Sequence, residues 1–209
     1  VWSSAEADST NSVAWGDVDG DGDLDLAVGN YKTPNRLYRN DGGVLTNVAI
    51  WSSVEADWAQ SIAWGDVDGD GDLDLAVGNF DAPNRLYRNE AGVLTTAAVW
   101  SSLKTDTTRS IAWGDVDGDG DLDLAAGNEG QPSRLFRNEN GVLTAAAVWS
   151  SEESDNTLSI AWGDADGDGD LDLAVGNGGQ PLRLYRNDGG VLTASAIGDP
   201  SEGNYAYSV

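Results

Sequence analysis

The stretch AWGDVDGDGDLDLAVGN, residues 14–30, sets five aspartates on alternate positions: Asp17, Asp19, Asp21, Asp23 and Asp25. With small changes it returns at residues 63–79, 112–128 and 161–177. Carboxylates crowded into a tight loop repel one another unless a cation neutralises them. Ca2+ suits such a set, because it is a hard ion that takes six to eight oxygens in flexible geometry at about 2.3–2.6 Å. In DVDGDGDLD, Asp17, Asp19 and Asp21 can point inward together from loop positions 1, 3 and 5, and Gly20 and Gly22 let the backbone curl around an ion. Asp23, at position 7, is expected to offer its backbone carbonyl, with its side chain outside or on a water. Asp25, at position 9, is expected to close the shell. The same roles fall to Asp66, Asp68, Asp70, Asp72 and Asp74, then to Asp115, Asp117, Asp119, Asp121 and Asp123. In the last copy they fall to Asp164, Asp166, Asp168, Asp170 and Asp172, giving an expectation of one Ca2+ per repeat and four in all.

Other chemistries fit this pattern less well. An EF-hand also begins D-x-D-x-D-G, but it needs a bidentate Glu at position 12 and flanking helices. Position 12 is Val28, Val77, Ala126 or Val175 here. The nonapeptide repeats of calcium-binding β-helices need a period of nine, which is absent. Paired carboxylates can serve as the acid and base of a glycosidase, but an active site is single and this loop occurs four times. Mg2+ prefers few carboxylates and several waters.

The loop's elements follow from the period. The first Asp falls at 17, 66, 115 and 164, a spacing of 49 residues without insertion or deletion. RLYRN or RLFRN at 36, 85, 134 and 183, GVLT at 43, 92, 141 and 190, and WSS at 2, 51, 100 and 149 keep the same register. Within a unit, SVAWGDV and LDLAVGN alternate as strands, and NRLYRN and VLTNVAIW follow between turn residues. Four strands repeated every 40–50 residues are the signature of an all-β chain of β-propeller blades, each of four antiparallel strands. A β-sandwich has no reason to keep a fixed register. The units run over about 1–49, 50–98, 99–147 and 148–196 of one propeller or propeller segment spanning 1–209. The last 13 residues, 197–209, fall in register with the start of a fifth unit. Unpaired strand edges at both ends would allow copies to join head to tail, as a closed oligomer or a filament. The near identity of the units points to recent duplication or to design.

SIAWGDVDGDGDLDLAVGN followed by RLYRN resembles the FG-GAP repeat of integrin α-subunit propellers and the related VCBS repeats of bacterial extracellular proteins. The resemblance implies a calcium ion in each hairpin between the first strand, A, and the second, B. It also implies an extracellular setting and a role in adhesion or in recognition of a glycan or protein ligand. Such propellers also occur as accessory modules of secreted carbohydrate-active enzymes.

Composition narrows the function classes. The formal charge is −25, from 36 acids against 11 bases, so nucleic acid and anionic lipid surfaces are repelled. Twenty of those acids sit in the four loops, whereas a solvated acidic surface would spread them. No apolar run is long enough to span a membrane. There is no His, no Cys and no nucleophile motif, so a binding module is expected and not an enzyme. Specificity is expected on the face opposite the acidic loops, where the units differ. Tyr31, Lys32, Trp58, Phe80 and Arg109 are the candidate ligand contacts there, with aromatics able to stack on sugar rings.

Overall fold

The computed structural model describes residues 1–197, and every strand in it pairs antiparallel. The first repeat contributes β1 (Thr10–Gly16), β2 (Asp25–Asn30), β3 (Arg36–Tyr38), β4 (Asn40–Asp41), β5 (Val44–Leu45) and β6 (Trp51–Ser52). The same six recur as β7 (Ala59–Gly65) to β12 (Trp100–Ser101) and as β13 (Thr108–Gly114) to β18 (Trp149–Ser150). The fourth repeat supplies β19 (Thr157–Gly163), β20 (Asp172–Asn177) and β21 (Arg183–Tyr185), with Ile197 bridging Leu184. Three sheets have four strands, in the order β1-β2-β3-β6 and its two equivalents. Apart from Ile197, the start of a fifth unit lies outside the described residues.

The fourth strand departs from expectation. VLTNVAIW was expected as one strand, yet only its last residue, Trp51, pairs with the sheet, opposite Leu37. Val44 and Leu45 fold back on Asp41 and Asn40 instead. The cause is the turn between them, where Gly42 and Gly43 have φ of +62° and +84°. Two consecutive left-handed residues make the tight hairpin whose twist matches paired strands. Repeats two and three put Ala91 and Asn140 into the same left-handed position at φ +53° and +54°.

The core lies between repeats rather than within them. One cluster joins Leu37, Ile62, Leu75 and Tyr87, a second joins Leu86, Ile111, Leu124 and Phe136, and a third joins Leu135, Ile160, Leu173 and Tyr185. A single sheet this small cannot bury both its faces, so each uses its neighbour. The contact is close because the A strands end in Trp-Gly. A Cβ on Gly16 would lie 2.8 Å from Trp64 Cδ1, and one on Gly65 would lie 2.8 Å from Trp113 Nε1. At the outer edge, Trp51 meets Tyr87 edge-on at 5.2 Å and donates its Nε1–H to the Thr95 carbonyl.

One substitution is matched by its partner. Tyr38, Tyr87 and Tyr185 donate their hydroxyls to Glu6, Glu55 and Glu153. The third repeat has Phe136 and Lys104 at these two positions, so donor and acceptor vanish together. A methyl group at Gly65 has no such relief. Gly65→Ala is expected to lower stability by about 1–3 kcal/mol through overpacking against Trp113, read as a lower midpoint of urea unfolding.

Candidate metal centre

Each acidic loop joins an A strand to the next strand, and its ends are pinned by that pairing: Gly16 faces Asp25 across the hairpin. Gly20 and Gly22, at φ +73° and +94°, turn the chain back. The position-1 carboxylate then collects backbone donors from inside the curl. Asp66 accepts from Gly69 and Asp70 on Oδ1, at 2.8 and 3.1 Å, and from Gly71 on Oδ2 at 3.0 Å. Asp115 repeats this with Gly118, Asp119 and Gly120. The carboxylate at position 5 accepts from the N–H of position 7 in all four loops.

In the first three loops the side chains of positions 1, 3 and 5 converge, as Asp17, Asp19 and Asp21, then Asp66, Asp68 and Asp70, then Asp115, Asp117 and Asp119. In the fourth the group is Asp164, Asp166 and Asp172, so position 9 joins and Asp168 does not. One oxygen from each residue lies within 4.8 Å of the others, close to the span of two oxygens on opposite sides of a Ca2+ ion at about 2.4 Å each. Asp17 Oδ1 is buried without a hydrogen-bond partner. Hard carboxylate oxygens, a curl of matching size and an orphaned buried oxygen together fit Ca2+.

Position 7 has a side-chain partner that the sequence expectation did not name. Its side chain is neither free nor in the convergent group but accepts from the tight turn of the same repeat. Asp23 takes the Gly42 N–H at 2.5 Å, Asp72 the Ala91 N–H at 2.7 Å, Asp121 the Asn140 N–H at 2.6 Å and Asp170 the Gly189 N–H at 2.7 Å. Position 9 is a second anchor, at most 1% exposed in all four repeats. Asp74 accepts from Val67 N–H at 3.1 Å with Oδ2 and from Asn89 N–H at 2.7 Å with Oδ1, joining loop and turn.

Two sets of residues shape this centre beyond the aspartates, and a third pairs away from it. The second Arg of RLYRN reaches the position-3 carboxylate, as Arg39 to Asp19 at 3.3 Å, Arg88 to Asp68, Arg137 to Asp117 and Arg186 to Asp166 at 2.7 Å. The following Asn clamps the loop of the preceding repeat: Asn89 Nδ2 donates to Val18 O at 2.9 Å, Asn138 to Val67 O and Asn187 to Val116 O, each at 2.7 Å. The first Arg pairs outward, Arg36 with Asp8 at 2.6 Å and Arg85 with Asp57 at 3.0 Å. The clamping Asn is missed by residue-type reasoning, and its signal is its fixed place in all four RLYRN or RLFRN stretches.

The five candidate ligand contacts sit at the other end of the hairpins, where Thr10 pairs with Asn30. The structure brings all five together. Trp58 stacks on Phe80 at 4.1 Å between centroids, Tyr31 meets Trp58 edge-on at 4.7 Å, Lys32 lies 5.3 Å over Tyr31, and Arg109 lies 5.0 Å over Phe80. Arg109 is also bound by Glu129 and Gln60.

The family model described as FG-GAP-like repeat matches this chain three times, over residues 17–77, 66–126 and 115–175. The chain belongs to the FG-GAP-like repeat family. Each match begins 49 residues after the last and opens on the first Asp of a loop, so the matches step with the period read from the sequence. A search of the curated proteins finds no match. Among solved structures, the chain is similar to two crystal structures of BBS1N in complex with ARL6DN, one soaked with lead and one with mercury. Their TM-scores are 0.60 and 0.62, with 14% and 15% identity. The alignments cover 93% and 94% of this chain, which spans 58% of the length of those solved chains. At that identity the likeness shows the fold alone, a β-propeller-like array of FG-GAP-like repeats.

Burial, and behind it the charge of neighbouring aspartates, pushes the Asp74 and Asp123 carboxyls up from 3.8 to about 6. The folded chain thus holds more protons than the unfolded chain between those values, and its stability falls as pH rises through them. Without a divalent ion, raising the pH from 3.8 toward about 6 is expected to cost on the order of 2 kcal/mol per aspartate. Saturating calcium, which favours the ionised form, is expected to flatten that slope in thermal unfolding followed against pH.

Proposed function

We propose that this chain is an extracellular, calcium-clasped recognition module made of β-propeller blades, a binding protein and not an enzyme. The observation that carries this reading is the oxygen cage repeated in every acidic loop, with Asp17 Oδ1 buried and unpartnered inside one of them. Ca2+ bound there would supply charge neutralisation to carboxylates that the fold has already drawn together. Position 9 and position 7 tie the loop to the outer turn, so an ion in the loop would brace the edge of the whole blade. Membership of the FG-GAP-like repeat family supports the same reading.

Sites of this kind fill where calcium is near millimolar, which favours the outside of the cell. With the acidic loops used as fasteners, recognition is left to the opposite loop face, where the repeats differ. The similar solved chains are complexes of BBS1N with ARL6DN, which supports macromolecular recognition as the use of this architecture. Glycan and protein ligands are both compatible with the loop face, and nucleic acid is repelled by the charge of −25. Among the described residues no helix is long and apolar enough to cross a membrane.

For a site with a Kd of about 0.1 mM, millimolar calcium adds about 1.4 kcal/mol of stability. Calorimetric unfolding is therefore expected to move up by several degrees on going from excess chelator to millimolar CaCl2. Asp66→Ala is expected to shrink the shift by removing one cage. Identical scans with chelator and with calcium would overturn the reading.

A further inference from the structure

Because the four repeats are nearly identical, the residues that break the pattern are informative. Among the described residues, Trp58 has no aromatic counterpart, and Tyr31 and Phe80 share one position of the first two repeats where the third and fourth have Glu129 and Gly178. Three cations have no counterpart in the other repeats: Lys32, Lys104 and Arg109. All three aromatics and two of the cations meet in one cluster, although they come from three successive repeats. Independent drift would scatter such changes over the loops.

The cluster also carries local costs. Lys32 and Asp81 are held at φ +52°, the left-handed region that a side chain disfavours. The equivalent residues of the third and fourth repeats are Gly130 and Gly179, at φ +70° and +77°, where no such cost arises. Trp58 Nε1 is buried without a hydrogen-bond partner. Two of the four left-handed residues other than glycine among the described residues thus flank this site, and such conformations are found at ligand-binding surfaces.

Beside the stack lies an open groove of about 470 Å³ lined by Lys32, Asp57, Trp58, Phe80 and Asp81, with Ala56 and Ala82. Its charges nearly cancel. The Asp57 carboxylate is met by Arg85 at 3.0 Å, Asp81 accepts from Thr107 Oγ1 at 2.7 Å, and the Lys32 ammonium rests over the rings of Tyr31 and Trp58. An anionic ligand would face Asp57 and Asp81 on a molecule of charge −25, and a cationic one would face Lys32. A protein anchor residue favours a closed, fully desolvated pocket. An open groove of aromatic rings with carboxylates and an ammonium at its rim suits a ligand that has C–H patches and hydroxyls on the same ring.

We propose that this groove binds a neutral oligosaccharide, with Trp58 and Phe80 as the apolar floor, Asp57 and Asp81 accepting hydroxyls, and Lys32 donating to a ring or hydroxyl oxygen. The assignment rests on the recognition role above and names its ligand class.

The test titrates the 15N-labelled, calcium-loaded chain with neutral hexasaccharides of glucose, mannose and xylose, following the Trp58 indole N–H, which Trp58→Phe identifies by its loss. At least one sugar is expected to shift that resonance, and Trp58→Ala is expected to bind it about tenfold more weakly. The double variant Lys32→Gly/Asp81→Gly relieves the backbone and is expected to melt at or above the parent temperature while also binding about tenfold more weakly. Unchanged affinity in that variant, or no shift with any of the sugars, would overturn the proposal. So would a groove that responds only to peptides, which would make it a protein site. The calcium dependence of melting is a separate readout, so loss of either result leaves the other standing.

Discussion

Asp25, Asp74, Asp123 and Asp172 each place a nearly inaccessible carboxylate where two backbone N–H groups converge, one from the acidic loop and one from the residue after RLYR or RLFR. Burying a carboxylate is costly unless it is well partnered, and leaving those two donors unpaired would be costly too. The arrangement settles both at once. It also sets the rest of the edge, because the Asn that donates its backbone N–H here sends its side chain to the loop of the preceding repeat. One buried charge therefore couples loop, turn and neighbouring repeat.

That coupling explains why the repeat is so strict on one side of the sheets. Trp on the Gly that ends each of the first three A strands, Ile over the glycine of the adjoining strand and Asn on the loop carbonyl all recur with a 49-residue offset. Each of these contacts crosses from one repeat to the next, so a change on either side is felt by its neighbour. The third repeat shows the tolerance available, where Tyr and Glu are exchanged together for Phe136 and Lys104.

The opposite loop face answers to a looser constraint. Its loops pair through single bridges, such as Tyr31 with Trp58 and Glu129 with Asn156, and their side chains are free to differ. Repeats three and four use a polar link there, with Gln131 and Gln180 accepting from the backbone of Thr107 and Asn156. Repeats one and two carry rings in its place, with Lys32 of the first repeat and Arg109 of the third set against them. A rigid edge and an adaptable edge on the same sheets are what a recognition module requires.

The sequence by itself determined the antiparallel repeat, its period and the convergence of aspartates, because alternation and fixed spacing act over a few residues and leave a visible pattern. It also singled out Tyr31, Lys32, Trp58, Phe80 and Arg109 as departures from that pattern. Only the tertiary structure decided that position 7 braces a turn, that VLTNVAIW divides between a tight hairpin and a two-residue strand, and that the five departures form one cluster. Asp23 meets Gly42 across 19 residues, and Arg109 reaches Phe80 from the next repeat. Contacts of that range depend on how sheets stack and where turns close, and local residue types do not carry that information.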